Sequence, residues 1–311
     1  MSIQHKIQHK IFCILPYGIR QRIKLFLANR RNKKANSVQA KLDELRELII
    51  YNHPITEIPP CTGKLRLLQQ GNTALLNYFA KCCTKAGLRY WLDFGTLLGA
   101  VRHGGFIPWD DDLDVAMLKS EYDKMKDLLP TLFPEEKGFT VSEHAFIQIG
   151  VKGTPLNLDI FPYYCHSETS TEANREQLKL RIENLRKQIV YSHGILNKTE
   201  GEFIQLLNSA VYQNKIPLTE EESPLIFFTP IPNFQKTYHF YYQDIFPLKE
   251  INFEGFSFYA PAHTRQYLAY IYGDYMSYPP KVGMWHQHLI DVVKKDSFED
   301  KVNQFIDTYG C

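Results

Sequence analysis

Apolar positions recur at helical spacing in some stretches of the chain and at alternate positions in others, and the two periods divide it into elements. Residues 37–50 (SVQAKLDELRELII) carry a helical pattern, and residues 64–85 carry another, for which Gly87 is a natural stop. Between them YNHPITEIPPCTG reads as a linker, because three prolines in seven residues forbid regular structure. LRYWLDF (88–94) predicts a strand, GTLLGAVRHGG a turn running into a short helix, and LDVAMLKS (113–120) a second strand followed by a helix to about Leu129. GFTVSEHAFIQIGV reads as a hairpin, PLNLDIFPYY contains another buried strand, and KEINFEGFSFYAP is a hairpin with Glu254-Gly255 at its turn. Residues 171–214 read as mainly helical and charged, SPLIFFTPIP as irregular, and PAHTRQYLAYIYGDYM as a helix ending near Gly273. Strands interspersed with helices, without a regular βαβ rhythm and without repeats, predict a mixed α+β fold.

Composition narrows this picture. A chain of 311 residues suits one large domain or two modest ones, and the expected division is a basic amphipathic segment and linker over 1–60 followed by one domain over 61–311. The net charge of +2 excludes a nucleic-acid polycation. Residues 1–34, however, hold nine Lys or Arg and no Asp or Glu, mixed with Ile, Leu and Phe and interrupted by Pro16 and Gly18. That segment reads either as an interfacial helix on anionic lipid or as a helix packed on the domain with a solvated basic face. The six cysteines (13, 61, 82, 83, 165 and 311) show no CxxC spacing, so reduced thiols in a cytosolic protein are expected, and no zinc site. No apolar run reaches bilayer length and no cleavage site follows IFCIL, so neither a membrane span nor a cleaved signal peptide is expected. The expected location is cytoplasmic, with contact to the inner face of the membrane if residues 1–34 bind lipid.

The chemistry concentrates in FGTLLGAVRHGGFIPWDDDLDV, residues 94–115, where Asp110, Asp111, Asp112 and Asp114 fall within five positions. Like charges this close repel one another unless a cation lies among them. Along a strand, positions i and i+2 share a face, so Asp112 and Asp114 converge while Leu113 turns into the core. Two hard oxygen ligands with open positions left over suit Mg²⁺ or Mn²⁺. Gly95-Thr96 opens a helix whose free amides favour a phosphate, and Arg102 is placed to reach phosphate oxygens. Asp159 in LNLDIFP is a lone acid in an apolar strand and is the candidate third carboxylate, as metal ligand or proton acceptor. His103 reads as a phosphate contact or a satisfied loop residue. Lys281, His286 and His288 read as phosphate contacts from the C-terminal half or as ordinary surface and core residues. Asp110 and Asp111 are expected as turn or capping residues, Trp109 as core, and Tyr272 and Asp274 as the structural end of a helix.

GTLLGAVRHGGFIPWDDDLDVAML resembles the signature of the LicD and fukutin-related family, LDIFP its third acidic segment, and DIFPLKEINFEGFSFYAPAHTRQYLAYIYGDYM with WHQHL its C-terminal part. The blocks run from about Leu65 to Leu289. The resemblance implies a nucleotidyltransferase-type fold of the polymerase-β kind, in which a Gly-Thr turn (Gly95-Thr96), an Asp-x-Asp pair (Asp112, Asp114) and a third acid (Asp159) surround a divalent metal. It also implies transfer of a phospho-alcohol, such as phosphocholine or ribitol phosphate, from a CDP-activated donor to a sugar hydroxyl of a surface glycan or its lipid-linked precursor, with CMP leaving. The cysteine-based zinc insertion and membrane anchor of the fukutin-like branch are not seen, which favours the bacterial LicD-like branch. Two other readings stay open on the same residues: a nucleotidyltransferase that releases pyrophosphate, and a non-catalytic glycan- or nucleotide-binding scaffold.

Overall fold

Leu68, Leu75, Phe79 and Cys82 return to one side of a 24-residue helix, α1 (Gly63–Ala86), and all are buried. Gly87 ends it in the left-handed region at φ 67°, its amide reaching the carbonyls of Cys83 and Thr84. The protein is described by a computed structural model. It describes residues 40–41, 44, 53–143, 146–166, 180, 184, 225–228, 238–278 and 298–310. These fall in two units, Met1–Ile55 and Thr56–Cys311. In the first, Ala40, Lys41 and Glu44 are helical and exposed. Residues 1–34, most of 171–214, and Lys281, His286 and His288 lie outside the described residues.

The second unit continues with β1 (Trp91–Leu92), α2 (Phe94–His103), β2 (Asp114–Leu118), α3 (Lys119–Leu132), β3 (Phe139–Glu143), β4 (Ile147–Val151) and β5 (Asn157–His166). Then come β6 (Leu225–Phe228), β7 (Tyr238–Tyr241), α4 (Tyr242–Ile245), β8 (Lys249–Phe253), β9 (Phe256–Ala260), α5 (Thr264–Tyr272) and α6 (Glu299–Tyr309). The main sheet runs β1-β2-β5-β4-β3, and β6 joins the far end of β5 to β7. β2 and β5 pair parallel, and its other pairings are antiparallel. β8 and β9 form a separate hairpin with Glu254-Gly255 at its tip. The fold is thus α+β with a mixed sheet.

The central strands explain where the core sits. Leu113, Val115, Ala116 and Met117 on one side of the parallel pair, and Leu158 and Ile160 on the other, are fully buried, as expected for strands covered on both faces. α6 packs beside α1 through an aromatic cluster in which Tyr78 meets Tyr309 at 4.9 Å and Phe139 meets Phe305 at 6.0 Å. No described helix is long and apolar enough to cross a membrane.

Two expectations change. The strand anticipated over 88–94 shrinks to Trp91–Leu92, because Asp93 caps α2 and the helix begins at once. Gly95 is therefore a helical residue, with no turn before it. SPLIFFTPIP, expected as irregular, holds β6: Tyr164, Cys165 and His166 of β5 pair with Phe227, Ile226 and Leu225. Its prolines bound the strand without preventing it, and the partner that orders it lies some 60 residues earlier in the chain.

α2 lies against the loop that follows it. A Cβ added at Gly99 would sit 2.4 Å from the Gly105 carbonyl oxygen and 3.0 Å from the Ile107 amide nitrogen, both backbone atoms. Gly99→Ala is therefore expected to destabilise the protein by roughly 1–3 kcal/mol, since overpacking forces backbone shifts. Urea unfolding checks this, and an unchanged midpoint would contradict the close approach.

Candidate active site

In the parallel pairing of β2 with β5, Asp114 stands opposite Asp159. Paired residues of neighbouring strands project from the same face, so the two carboxylates share one end of the sheet. The backbone ties the position from both sides: Asp159 donates its amide to the Leu113 carbonyl at 2.8 Å, and Asp93 donates to the Asp114 carbonyl at 3.0 Å. Leu113 is buried, as its place between two outward acids requires. The Asp112 charge acts on Asp110, Asp114 and Asp159 alike, which makes it the common neighbour of the group.

Asp110, expected to be a turn residue, belongs to this cluster. A Cβ on Gly95 would meet its Oδ2 at 2.8 Å and Asp114 Oδ2 at 3.6 Å, so both carboxylates lie over the first turn of α2, and any larger residue there would push the Asp110 carboxylate aside. Burial raises the Asp110 and Asp114 carboxyls well above their usual range, and the neighbouring Asp112 charge raises both further. Asp159 is pushed up to about 7, mainly by burial. The hydrogen bond from Gln148 Nε2 at 2.8 Å acts in the opposite direction, and Asp112 adds to the rise.

Gly95 and Thr96, expected as phosphate contacts, both bond Asp114. The Gly95 amide donates to Asp114 Oδ2 at 3.2 Å. The Thr96 hydroxyl accepts the Asp114 amide at 2.8 Å, and Thr96 is 3% exposed. The positive end of α2 thus faces carboxylates of the protein itself. Arg102 and His103 stand at the other end of that helix, about 10 Å along its axis. Arg102 Nη2 donates to the Ser277 carbonyl at 3.1 Å, while its buried Nε has no partner among the described residues. Burial lowers both Arg102 and His103, and the Arg102 charge lowers His103 further.

Tyr272, expected only to end a helix, feels the charges of both groups. The residue as a whole is 42% exposed, while burial of its hydroxyl end and the charges of Asp114, Asp93 and Asp110 raise the phenol well above the usual range. It also interacts with Arg102. Asp110 carried a readable signal, because Asp110, Asp112 and Asp114 form an i, i+2, i+4 series. Gln148 and Tyr272 carried none, since strand register and helix packing bring them here. The apolar cavity of about 650 Å³ beside Leu88, Tyr242 and Phe246 includes none of these acids.

Beneath the acids, Asp93 is fully buried and holds the start of α2. Its Oδ1 accepts the Phe94 amide at 2.8 Å and the Tyr267 hydroxyl at 2.7 Å, and its Oδ2 accepts the Tyr163 hydroxyl at 2.7 Å. Burial raises this carboxyl to about 6 against these three hydrogen bonds.

A divalent cation fits the donor set. The oxygens are hard, and the mutual repulsion that raises the carboxyls is what a cation relieves. Among the described residues no three His, Cys, Asp or Glu side chains form a ready-made metal cage, and some divalent cations complete their shell with waters and substrate oxygens. Magnesium behaves this way, with one or two carboxylates. Asp93→Ala is expected to cost about 2–4 kcal/mol in denaturant unfolding, because it leaves two buried tyrosine hydroxyls and a helix start without their acceptor. Tyr163→Phe should cost about 1 kcal/mol, and equal stability of the Asp93→Ala variant and wild type would contradict the network.

Residues 87–191 match the family model described as LicD/FKTN/FKRP, nucleotidyltransferase domain. The chain is 28% identical over 268 residues to lipopolysaccharide cholinephosphotransferase LicD of Haemophilus influenzae, covering 73% of this chain and 97% of that protein. It is 34% identical over 125 residues to ribitol 5-phosphate transferase FKRP of Homo sapiens, covering 37% of this chain and 23% of that protein. Among solved structures, terminal uridylyl transferase 4 from Trypanosoma brucei with bound GTP is 12% identical, covering 48% of this chain and 56% of that chain, at a TM-score of 0.22. That overlap is too low to carry an argument.

Proposed function

The chain belongs to the LicD/FKRP family, and on that premise we propose that it transfers a phospho-alcohol from a CDP-activated donor to a hydroxyl of a surface glycan or its lipid-linked precursor. The observation that carries the reading is the parallel register that sets Asp114 beside Asp159, with the charge of Asp112 acting on both. The relative named a cholinephosphotransferase, aligned over 97% of its length, supports phosphocholine as the first group to try, carried by CDP-choline. The family model's description, a nucleotidyltransferase domain over residues 87–191, supports a nucleotidyltransferase core, which we take to be of the polymerase-β kind and place in a transferase domain spanning 61–311.

In this reading Asp112, Asp114 and Asp159 hold Mg²⁺ or Mn²⁺. When bound, the ion supplies charge neutralisation for the diphosphate and for the departing CMP. The acceptor oxygen attacks the phosphorus that carries the alcohol, the bond from that phosphorus to the bridging oxygen breaks, and a phosphodiester and CMP result. Asp159, beside that ion, is also the candidate to receive the proton of the attacking hydroxyl. Asp110 adds its charge to the cluster, and Gly95 and Thr96 fix Asp114. Arg102 and His103, with Lys281 and His288 later in the chain, are the candidate cations for the donor phosphates. Residues 1–34 are the candidate contact with anionic lipid, which loss of liposome binding on deleting them would support and unchanged binding would refute.

CMP release from CDP-choline, CDP-ethanolamine, CDP-ribitol and CDP-glycerol, with Mg²⁺ and a glycan acceptor, tests the reading. One donor is expected to turn over. Asp112→Asn and Asp114→Asn should each lower that rate more than about a hundredfold with the circular dichroism spectrum unchanged. Wild-type rates in either variant would overturn the assignment of these acids. Release of pyrophosphate from a nucleoside triphosphate alone would replace phospho-alcohol transfer with nucleotidyl transfer.

A further inference from the structure

Two side-chain amides on α1, those of Gln69 and Asn72, are 1% and 0% exposed and lie among leucines. A buried amide is costly unless its groups are hydrogen-bonded. Both find their partners on the segment that carries the acids. Gln69 Nε2 donates to the Ile107 carbonyl at 3.3 Å and to the Asp110 carbonyl at 2.9 Å. Asn72 Nδ2 donates to the Asp111 carbonyl at 2.7 Å. Asn72 Oδ1 accepts the amide of Asn157 at 3.1 Å. Asn157 opens β5, two residues before Asp159. One asparagine side chain therefore bonds both to the loop that leads into Asp112 and Asp114 and to the strand that carries Asp159.

The same loop is gripped from the hairpin. Glu254, held at φ 53° at the tip between β8 and β9, accepts the Phe106 amide at 3.1 Å and donates its own amide to the Gly104 carbonyl at 2.8 Å. Its carboxylate takes both guanidinium nitrogens of Arg66 at 2.9 and 2.5 Å, and Arg66 in turn bonds Gln69 Oε1 at 3.1 Å. A Cβ at Gly105 would sit 2.3 Å from Glu254 Oε1, so the loop passes directly under this carboxylate. The backbone from Gly104 to Asp111 is thus anchored by α1 and by the hairpin just before the point where like-charged side chains push one another apart.

We propose that Asn72, supported by Gln69 and by the Arg66–Glu254 pair, is a positioning residue that presets the spacing of Asp112 and Asp114 from Asp159 for a divalent cation. The proposal rests on the reading of those acids as a cation site. Residues that orient metal ligands without touching the metal typically govern affinity by about 10–100-fold.

The test is Mn²⁺ binding to the full chain, followed by the electron paramagnetic resonance signal of the free ion. Wild type, Asn72→Ala, Glu254→Gln, Thr73→Val and Asp112→Asn are compared. Asn72→Ala is expected to weaken Mn²⁺ binding at least about tenfold. Glu254→Gln keeps an acceptor for Phe106 and breaks the ion pair with Arg66, so a smaller loss in the same direction is expected. It decides the matter if Asn72→Ala does not fold. Thr73→Val removes a buried hydroxyl on the same helix that, among the described residues, bonds its own turn at the Gln69 carbonyl, and should bind Mn²⁺ as wild type does. Unchanged affinity in Asn72→Ala and Glu254→Gln, with affinity lost in Asp112→Asn, would overturn the positioning role alone. No binding by wild type, or wild-type binding by Asp112→Asn, would overturn the cation site and the positioning role with it.

Discussion

Mutual repulsion among carboxylates at one end of a sheet is the constraint around which the neighbouring structure is arranged. β2 and β5 run parallel, so Asp114 and Asp159 stand side by side, and Asp110 and Asp112 are delivered to the same place by the loop before β2. Partial burial makes each charge harder to hold and each repulsion stronger. The protein opposes this with fixed dipoles and donors. The first turn of α2 gives Asp114 an amide and a hydroxyl-braced backbone, and Gln148 gives Asp159 a donor. Residues of α1 and the β8–β9 hairpin hold the loop by its backbone. Helix, strand and hairpin come from distant parts of the chain and meet at one cluster.

The elements that local pattern determines were legible before the fold. The 3.6-residue period of α1, its stop at Gly87, the hairpin turning at Glu254-Gly255 and the end of α5 at Gly273 all stand where the sequence puts them. Elements that depend on distant partners were not. β6 lies between prolines and is a strand because β5 and β7 flank it. The strand before α2 is short because Asp93 begins the helix one residue after Leu92. Asp112, Asp114 and Asp159 announce themselves as acids among apolar neighbours. Asp110 was hidden in plain view, since the residue after a Pro-Trp pair reads naturally as a turn. Gly95 and Thr96 were legible as a helix start, but which anion that start faces is decided by where the loop folds back.

Seen together, the arrangement separates two tasks. The acids over the start of α2 form the proposed cation site, while Arg102 and His103 lie a helix length away, Arg102 bonded to the segment that follows α5. A donor with a diphosphate has use for both: a cation where its phosphates meet the acids, and basic groups where they do not. In the proposed transfer, specificity for the alcohol and the acceptor falls to side chains around this cluster, and the acids themselves are indifferent to which alcohol is carried.

The most direct test of the proposed transfer needs no acceptor. Thermal melting of wild type and Asp112→Asn would be followed with Mg²⁺ and, in turn, CDP-choline, CDP-ethanolamine, CDP-ribitol, CDP-glycerol, CTP, ATP and UTP. A ligand that binds the native state raises its melting temperature. The account predicts magnesium-dependent stabilisation by one CDP-alcohol, absent in Asp112→Asn. Stabilisation by nucleoside triphosphates alone, or equal stabilisation of wild type and variant, would contradict it.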